Sequence, residues 1–205
     1  MPTLWEQFLQ ETITFAAIMD PVGVSAMMLG MLSHQATRSE VATIARQATV
    51  TITVAFFVVL LAGDGILRAF GIDQYSLKVI GGIVLLMMAL EMLGSSGGRM
   101  LRAEDREEIG VIPLGIPMIF GAGLFTTVII LKQQATSPTA IAVTVAAFLL
   151  NALVMYLVLR YAIHIRKLMG QTAENVVTKL MGLITGAIAV QFIVSGVVVL
   201  GKHYL

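Results

Sequence analysis

The residues best placed to do chemistry are Asp20-Pro21-Val22-Gly23, in the middle of an apolar run from Leu4 to Leu32. A carboxylate at bilayer depth costs about 2.5–3.5 kcal/mol on insertion scales and is a functional candidate by default. Pro21 implies a break there. The residue before a proline is disfavoured in the helical region, and proline lacks an N–H and clashes with the carbonyl one turn back. Carbonyls freed before the break can take a cation. N–H groups freed after it, beside Gly23, can face an anion. Ser25 adds a hydroxyl. The plainer role for Asp20 is an N-cap on the second half-helix. The two roles are compatible, because non-helical backbone at that depth must line something polar or be buried in protein.

A second constellation lies in the run Val111–Leu131. Pro113 and Pro117 interrupt it. Gly121-Ala122-Gly123 permits a non-helical turn or a close approach, and Thr126 and Thr127 come soon after. The pattern reads as a second break with free N–H groups and two hydroxyls, or as a small-residue packing face built on Pro117, Gly121 and Ala122. Asn151 and Gln191 are further polar candidates within apolar runs. For Asn151 the plainer role is hydrogen-bonded packing between helices.

Other chemistries lack their residues. There is no Cys, and His34, His164 and His203 are far apart, so no metal site and no cofactor are expected. The chain contains no G-x-S-x-G, H-E-x-x-H, P-loop or G-x-G-x-x-G pattern, and an enzyme is not expected. A net charge of +1 gives no basic field for nucleic acid.

The elements that must position these residues can be read from composition. Of 205 residues, 58% are hydrophobic and 12% charged. Soluble domains carry about 25% charge, so the lipid bilayer is the expected solvent. Six apolar runs are near the length needed to span it: Leu4–Leu32, Val41–Ala62, Ser76–Leu93, Val111–Leu131, Thr139–Tyr161 and Val176–Leu200. They do not alternate polar and apolar, so helices are expected rather than barrel strands. The expected fold is all-α, one integral membrane domain over 1–205, with a charged linker at 95–110. Lys and Arg divide nine to four between the two sets of loops. The richer set belongs in the cytoplasm, which leaves both termini outside. Trp5 and Tyr204 suit interfacial anchoring. The acidic start of the chain, with Glu6 and Glu11 and no cation before Arg38, does not read as a signal peptide.

The runs also repeat. At an offset of 100, Gly82 faces Gly182 and Ala89 faces Ala189. The first and fourth runs both carry proline and glycine inside them, while the second and fifth carry no internal proline. Two three-span repeats, about 1–94 and 111–205, must enter the membrane from opposite sides. That is an inverted-repeat architecture with helices one and four interrupted, and interruptions at matching places point to a midplane site.

Taken in order, Ile18-Met19-Asp20-Pro21-Val22-Gly23, Gly71-Ile72, Gly81-Gly82, Pro113-Leu114-Gly115-Ile116-Pro117, Gly121-Ala122-Gly123 with Thr126-Thr127, and Met181-Gly182 with Ala189-Val190-Gln191-Phe192 resemble the MarC (multiple-antibiotic-resistance-C) family of inner-membrane proteins. Two departures stand out. The family pattern has Gly-Pro-Gly where Gly121-Ala122-Gly123 stands, and a proline six residues after the Asp where Ala26 stands. The resemblance implies a six-span bacterial or archaeal inner-membrane transporter of small neutral amino acids such as glycine, alanine or serine. The expected mechanism is secondary transport by alternating access, coupled to H+ or Na+, with a homo-oligomer compatible. The expected substrate or ion-binding set is Asp20, Pro21, Gly23, Ser25, Pro117, Gly121, Gly123, Thr126, Thr127, Asn151 and Gln191. The alternatives are an exporter of another small solute, a metal ion or a drug, or a membrane scaffold. A drug pump calls for more than 7% aromatic residues, and a metal exporter for several deep carboxylates or histidines.

Overall fold

A computed structural model describes residues 3–32, 37–94, 110–111 and 114–204. Among them every regular element is helical: α1 (Leu4–Met19), α2 (Pro21–Met31), α3 (Arg38–Ala69), α4 (Gln74–Leu93), a wide π turn (Leu114–Ile119), α5 (Ala122–Gln134), α6 (Pro138–Arg160) and α7 (Ala162–Tyr204). The linker at 95–109, His34 and Pro113 lie outside the described residues. So do the side chains of Pro117, His203 and Tyr204.

Polar caps set where the helices begin. Thr3 with Glu6, and Thr37 with Glu40, form reciprocal capping boxes. Asp73 caps α4, and Ser137 caps α6 with Pro138 in its first turn. Inside α7 the backbone departs from helix at Gly170, with φ 72° and ψ 164°. A Cβ there would touch nothing, so it is the positive φ that requires glycine. Helical structure therefore starts well before the expected Val176.

Among the described residues, five elements are long and apolar enough to cross a membrane: Leu4–Met31 taken across its break, Arg38–Ala69, Gln74–Leu93, Pro138–Arg160 and Ala162–Lys202. The expected fourth span is not among them. Its backbone makes the π turn, with Ile116 extended at φ −131° and ψ 129°, and then leaves helix again before Gly121. The helix beyond that point, α5, has 13 residues. At 1.5 Å per residue it reaches about 20 Å, short of the roughly 30 Å hydrocarbon core. Proline and glycine thus divide this run further than its hydropathy suggests.

The helices interlock across the chain. The first half, α1 to α4, makes its main contacts with the second: α1 on α6, α2 on α6 and α7, α3 on α6 and α5, and α4 on α7 and α5. In lipid there is no hydrophobic drive between helices, so close approach depends on small residues. The α4–α7 crossing shows this twice over. A Cβ on Gly82 would stand 2.7 Å from the Ala189 carbonyl, and a Cβ on Gly182 would stand 3.3 Å from the Ala89 carbonyl. The contacts are reciprocal, and they join the four residues paired by the sequence offset. At the centre Phe15, Phe56 and Phe148 join α1, α3 and α6, with the Phe56 and Phe148 rings stacked at 3.8 Å. The outer faces are apolar; Leu61, for example, is 78% exposed. Trp5, at the start of α1, is also exposed.

Candidate functional site

The break between α1 and α2 is one residue wide. Asp20 adopts φ 36° and ψ 70°, the only positive φ outside glycine among the described residues. Asp and Asn tolerate this left-handed region better than other side chains, because they bond locally to the backbone. Asp20 does so: its Oδ1 accepts from the Gly23 N–H at 3.1 Å, capping α2. Its own N–H donates to Ala16 and closes α1. Asp20 is buried, and the Thr178 hydroxyl of α7 stands beside the same break, 3.0 Å from where a Cβ on Gly23 would lie.

Gly23 is dictated by this geometry. A Cβ there would lie 2.0 Å from Asp20 Oδ2 and 3.0 Å from Thr178 Oγ1. Only hydrogen fits between the second helix and the carboxylate. Pro21 occupies the first position of α2, where its missing N–H is an orphan in any case. Seen from α1 the same absence leaves terminal carbonyls without a donor from the chain ahead. Thr185 of α7 supplies one, donating to the Ala17 carbonyl at 3.0 Å.

The second break is built differently. Gly121 is the N-cap of α5, with extended φ −88° and ψ −173°, and no side chain caps the N–H groups of the first turn. Thr126 and Thr127 are buried, but each donates its hydroxyl to its own helix: Thr126 to the Ala122 carbonyl and Thr127 to that of Gly123, both at 2.8 Å. Their lone pairs alone remain for a ligand. Gly123 packs on Leu85, and Gly81 of α4 packs on Thr126. The small residues of α5 therefore serve its approach to α4, while its uncapped start offers donors. The two broken spans cross, with α1 against α5 and α2 against the π turn that contains Pro117.

Of the remaining sequence candidates, Ser25 is buried and donates to the Val22 carbonyl at 2.8 Å. Asn151 donates to the Thr12 carbonyl at 3.1 Å and to Ala147 at 2.9 Å, tying α6 to α1. Gln191 sits on the exposed face of α7, apart from the break. Among the described residues no three His, Cys, Asp or Glu converge as metal ligands. Surface hollows of about 320 and 170 Å³ lie at helix ends, lined by residues such as Asp64 and Arg68 in one and Arg38 and Arg160 in the other. Neither is lined by Asp20, which is buried in the protein.

The structure adds residues that the sequence pattern alone did not single out. Thr178 and Thr185 face the break from α7. Glu174, one turn before Thr178, is buried with Oε1 unpartnered. Glu11 of α1 is buried in the seam with α6. On α7 the spacing 174, 178, 185 puts these polar residues on one helical face, a stripe that was present in the sequence.

An all-helical chain with several bilayer-length apolar helices, one of them broken at a buried carboxylate, is an integral membrane protein. Its sequence matches the pattern of the MarC family integral membrane proteins over residues 5–200, and the chain belongs to that family. A UPF0056 membrane protein of Pyrococcus abyssi is 34% identical over 186 residues, covering 88% of this chain and 89% of its own. The UPF0056 membrane protein YhcE of Escherichia coli is 30% identical, covering 88% and 87%. One from Aquifex aeolicus is 29% identical, covering 96% and 94%. No solved structure matches the chain.

Proposed function

We propose that this protein is a secondary transporter of small neutral amino acids such as glycine, alanine or serine, driven by an H+ or Na+ gradient. The observation that carries the reading is the pair of crossed breaks with opposite polarity. At one, the buried Asp20 carboxylate faces Thr178 and the start of α2. At the other, the first N–H groups of α5 have no side-chain cap. A zwitterion has an ammonium for the first and a carboxylate for the second. Gly23 brings the start of α2 hard against the Asp20 carboxyl, and the tightness of that break favours a small substrate.

The architecture we infer is two inverted three-span repeats. The reciprocal Gly82–Ala189 and Gly182–Ala89 contacts support it. So does the matched packing, in which α2 lies on α6 and α7 as α5 lies on α3 and α4. The two N-caps, Asp20 and Gly121, are separated by nearly the offset that relates those pairs. Rocking one repeat against the other would open the closed Asp20 site to each side in turn. The Lys and Arg distribution supports an inner-membrane protein with both termini outside.

The test is uptake of labelled glycine, alanine and serine into proteoliposomes, with and without a pH or Na+ gradient, against empty liposomes. Gradient-stimulated uptake of at least one is expected. Folded protein that takes up none of the three under either gradient contradicts the reading.

A further inference from the structure

The seam between α1 and α6 holds a second buried carboxyl, which the break at Asp20 does not use. Glu11 is 5% exposed. Its Oε1 accepts from Gln7 Nε2 at 2.7 Å, and the same amide nitrogen donates to the Ala140 carbonyl of α6 at 3.1 Å. Both amide protons of Gln7 are thereby committed. Thr144 of α6 is fully buried and lies beside the carboxyl. Its hydroxyl donates to the Ala140 carbonyl at 3.3 Å. A hydroxyl has one proton, and Thr144 donates it within its own helix. Glu11 Oε2 is buried and has no hydrogen-bond partner.

Charge does not fill the gap. α6 carries no charged side chain before Arg160, and its one tyrosine, Tyr156, is twelve residues beyond Thr144. On α5, Lys132 is held by Asp64 at 2.6 Å. α7 carries Arg166, Lys167, Glu174, Lys179 and Lys202, the four cations exposed. No salt bridge to Glu11 forms among the described residues. An unpaired carboxylate in such a place is costly. A proton on Oε2 removes the charge. A metal cation fits less well, because the Gln7 amide already points its N–H at the carboxyl.

We propose that Glu11 carries an exchangeable proton on its unpartnered Oε2, and that this seam is the proton-loading site of the carrier. The second half of that statement rests on the transport reading; the first does not. Nine residues separate Glu11 from Asp20, about 13 Å along a helix at 1.5 Å per residue. The two carboxyls are thus distinct stations on one broken span.

Infrared difference spectroscopy of the full chain in liposomes tests the proton without any substrate. At neutral pH the wild type should show the C=O stretch of a protonated carboxyl, shifted by deuterium exchange. The Glu11 component of the band should vanish in Glu11→Gln, persist in Asp20→Asn and in Glu174→Gln, and move without vanishing in Thr144→Val. Glutamine preserves the acceptor for Gln7, so that variant is expected to fold; Thr144→Val gives an independent reading if it does not. No such band in the wild type, or a band unchanged in both Glu11→Gln and Thr144→Val, overturns the proposal. In uptake, Glu11→Gln should lose stimulation by a pH gradient at least tenfold while exchange of labelled for unlabelled substrate continues. Undiminished stimulation overturns the loading role. If the wild type takes up none of the amino acids, the transport reading fails, and the infrared band alone decides whether Glu11 holds the proton.

Discussion

At Asp20 the chain breaks a membrane helix with a carboxylate in the left-handed region and a proline behind it. At Gly121 it does so with an extended glycine that offers no cap, preceded by a π turn. The first break is satisfied from within and from α7: Asp20 takes the Gly23 N–H, and Thr185 supplies the Ala17 carbonyl. The second leaves the start of α5 without a side-chain acceptor. The difference teaches that interrupting a helix and placing a carboxyl at the interruption are separate devices. One break holds a buried carboxyl, and the other presents donors.

The comparison is broken most severely at Gly23. Gly23→Ala places a Cβ against the Asp20 carboxylate, with no flexible side-chain end to yield except the carboxylate itself. A loss of stability of about 1–3 kcal/mol is expected from overpacking, together with loss of most uptake. Gly123→Ala is the control at the other break. Its new methyl meets the Cδ2 end of Leu85, which can move, and the cost should stay under about 1 kcal/mol. Thermal melting in detergent and uptake in liposomes check both. Equal losses at the two glycines would erase the distinction.

Next in size is Thr185→Val, which removes the hydroxyl donor to the Ala17 carbonyl while keeping the shape. Leaving a buried carbonyl unsatisfied costs about 1–3 kcal/mol. Thr127→Val, whose hydroxyl merely doubles up on a helical carbonyl, should cost less in the same melting assay. A reversal of that order would mean that α1 ends without help from α7.

The smallest effect concerns Asp73, the exposed cap of α4. The Ser76 hydroxyl and then the Ser76 backbone N–H hold its carboxyl below the usual carboxylate range. A depressed pKa contributes stability above the unfolded-state value, and that contribution is lost as pH falls through the folded-state value. Melting temperature should therefore fall on acidification more in the wild type than in Asp73→Asn. Parallel curves would remove this cap from the acid response.

Much of this was legible in the sequence. Asp20 before a proline, inside an apolar run, specified both the break and its capping carboxylate, because φ restriction and burial of charge act locally. Gly82, Ala89, Gly182 and Ala189 were visible as an offset before they proved to be contacts. The fourth run was not legible as it stands: hydropathy measures apolar content, while Ile116 and Gly121 break the backbone that carries it. Gln191 lies on the outside of α7 because depth in a span does not fix the face. Glu11 gave no signal of its own because its partners, Gln7 and Thr144, come together only when α1 meets α6. Thr178 needed the α7 stripe to be read against Asp20, which lies far away in sequence.

The most direct measurement is Asp20→Asn beside the wild type, in the same liposomes and with the same labelled amino acids. Asparagine keeps the left-handed conformation and the oxygen that accepts from Gly23, so the two melting temperatures should agree. Only the ionisable group is removed. Uptake reduced at least tenfold at equal stability is the expected result. Uptake equal to the wild type would reduce Asp20 to a helix cap and move the binding site elsewhere.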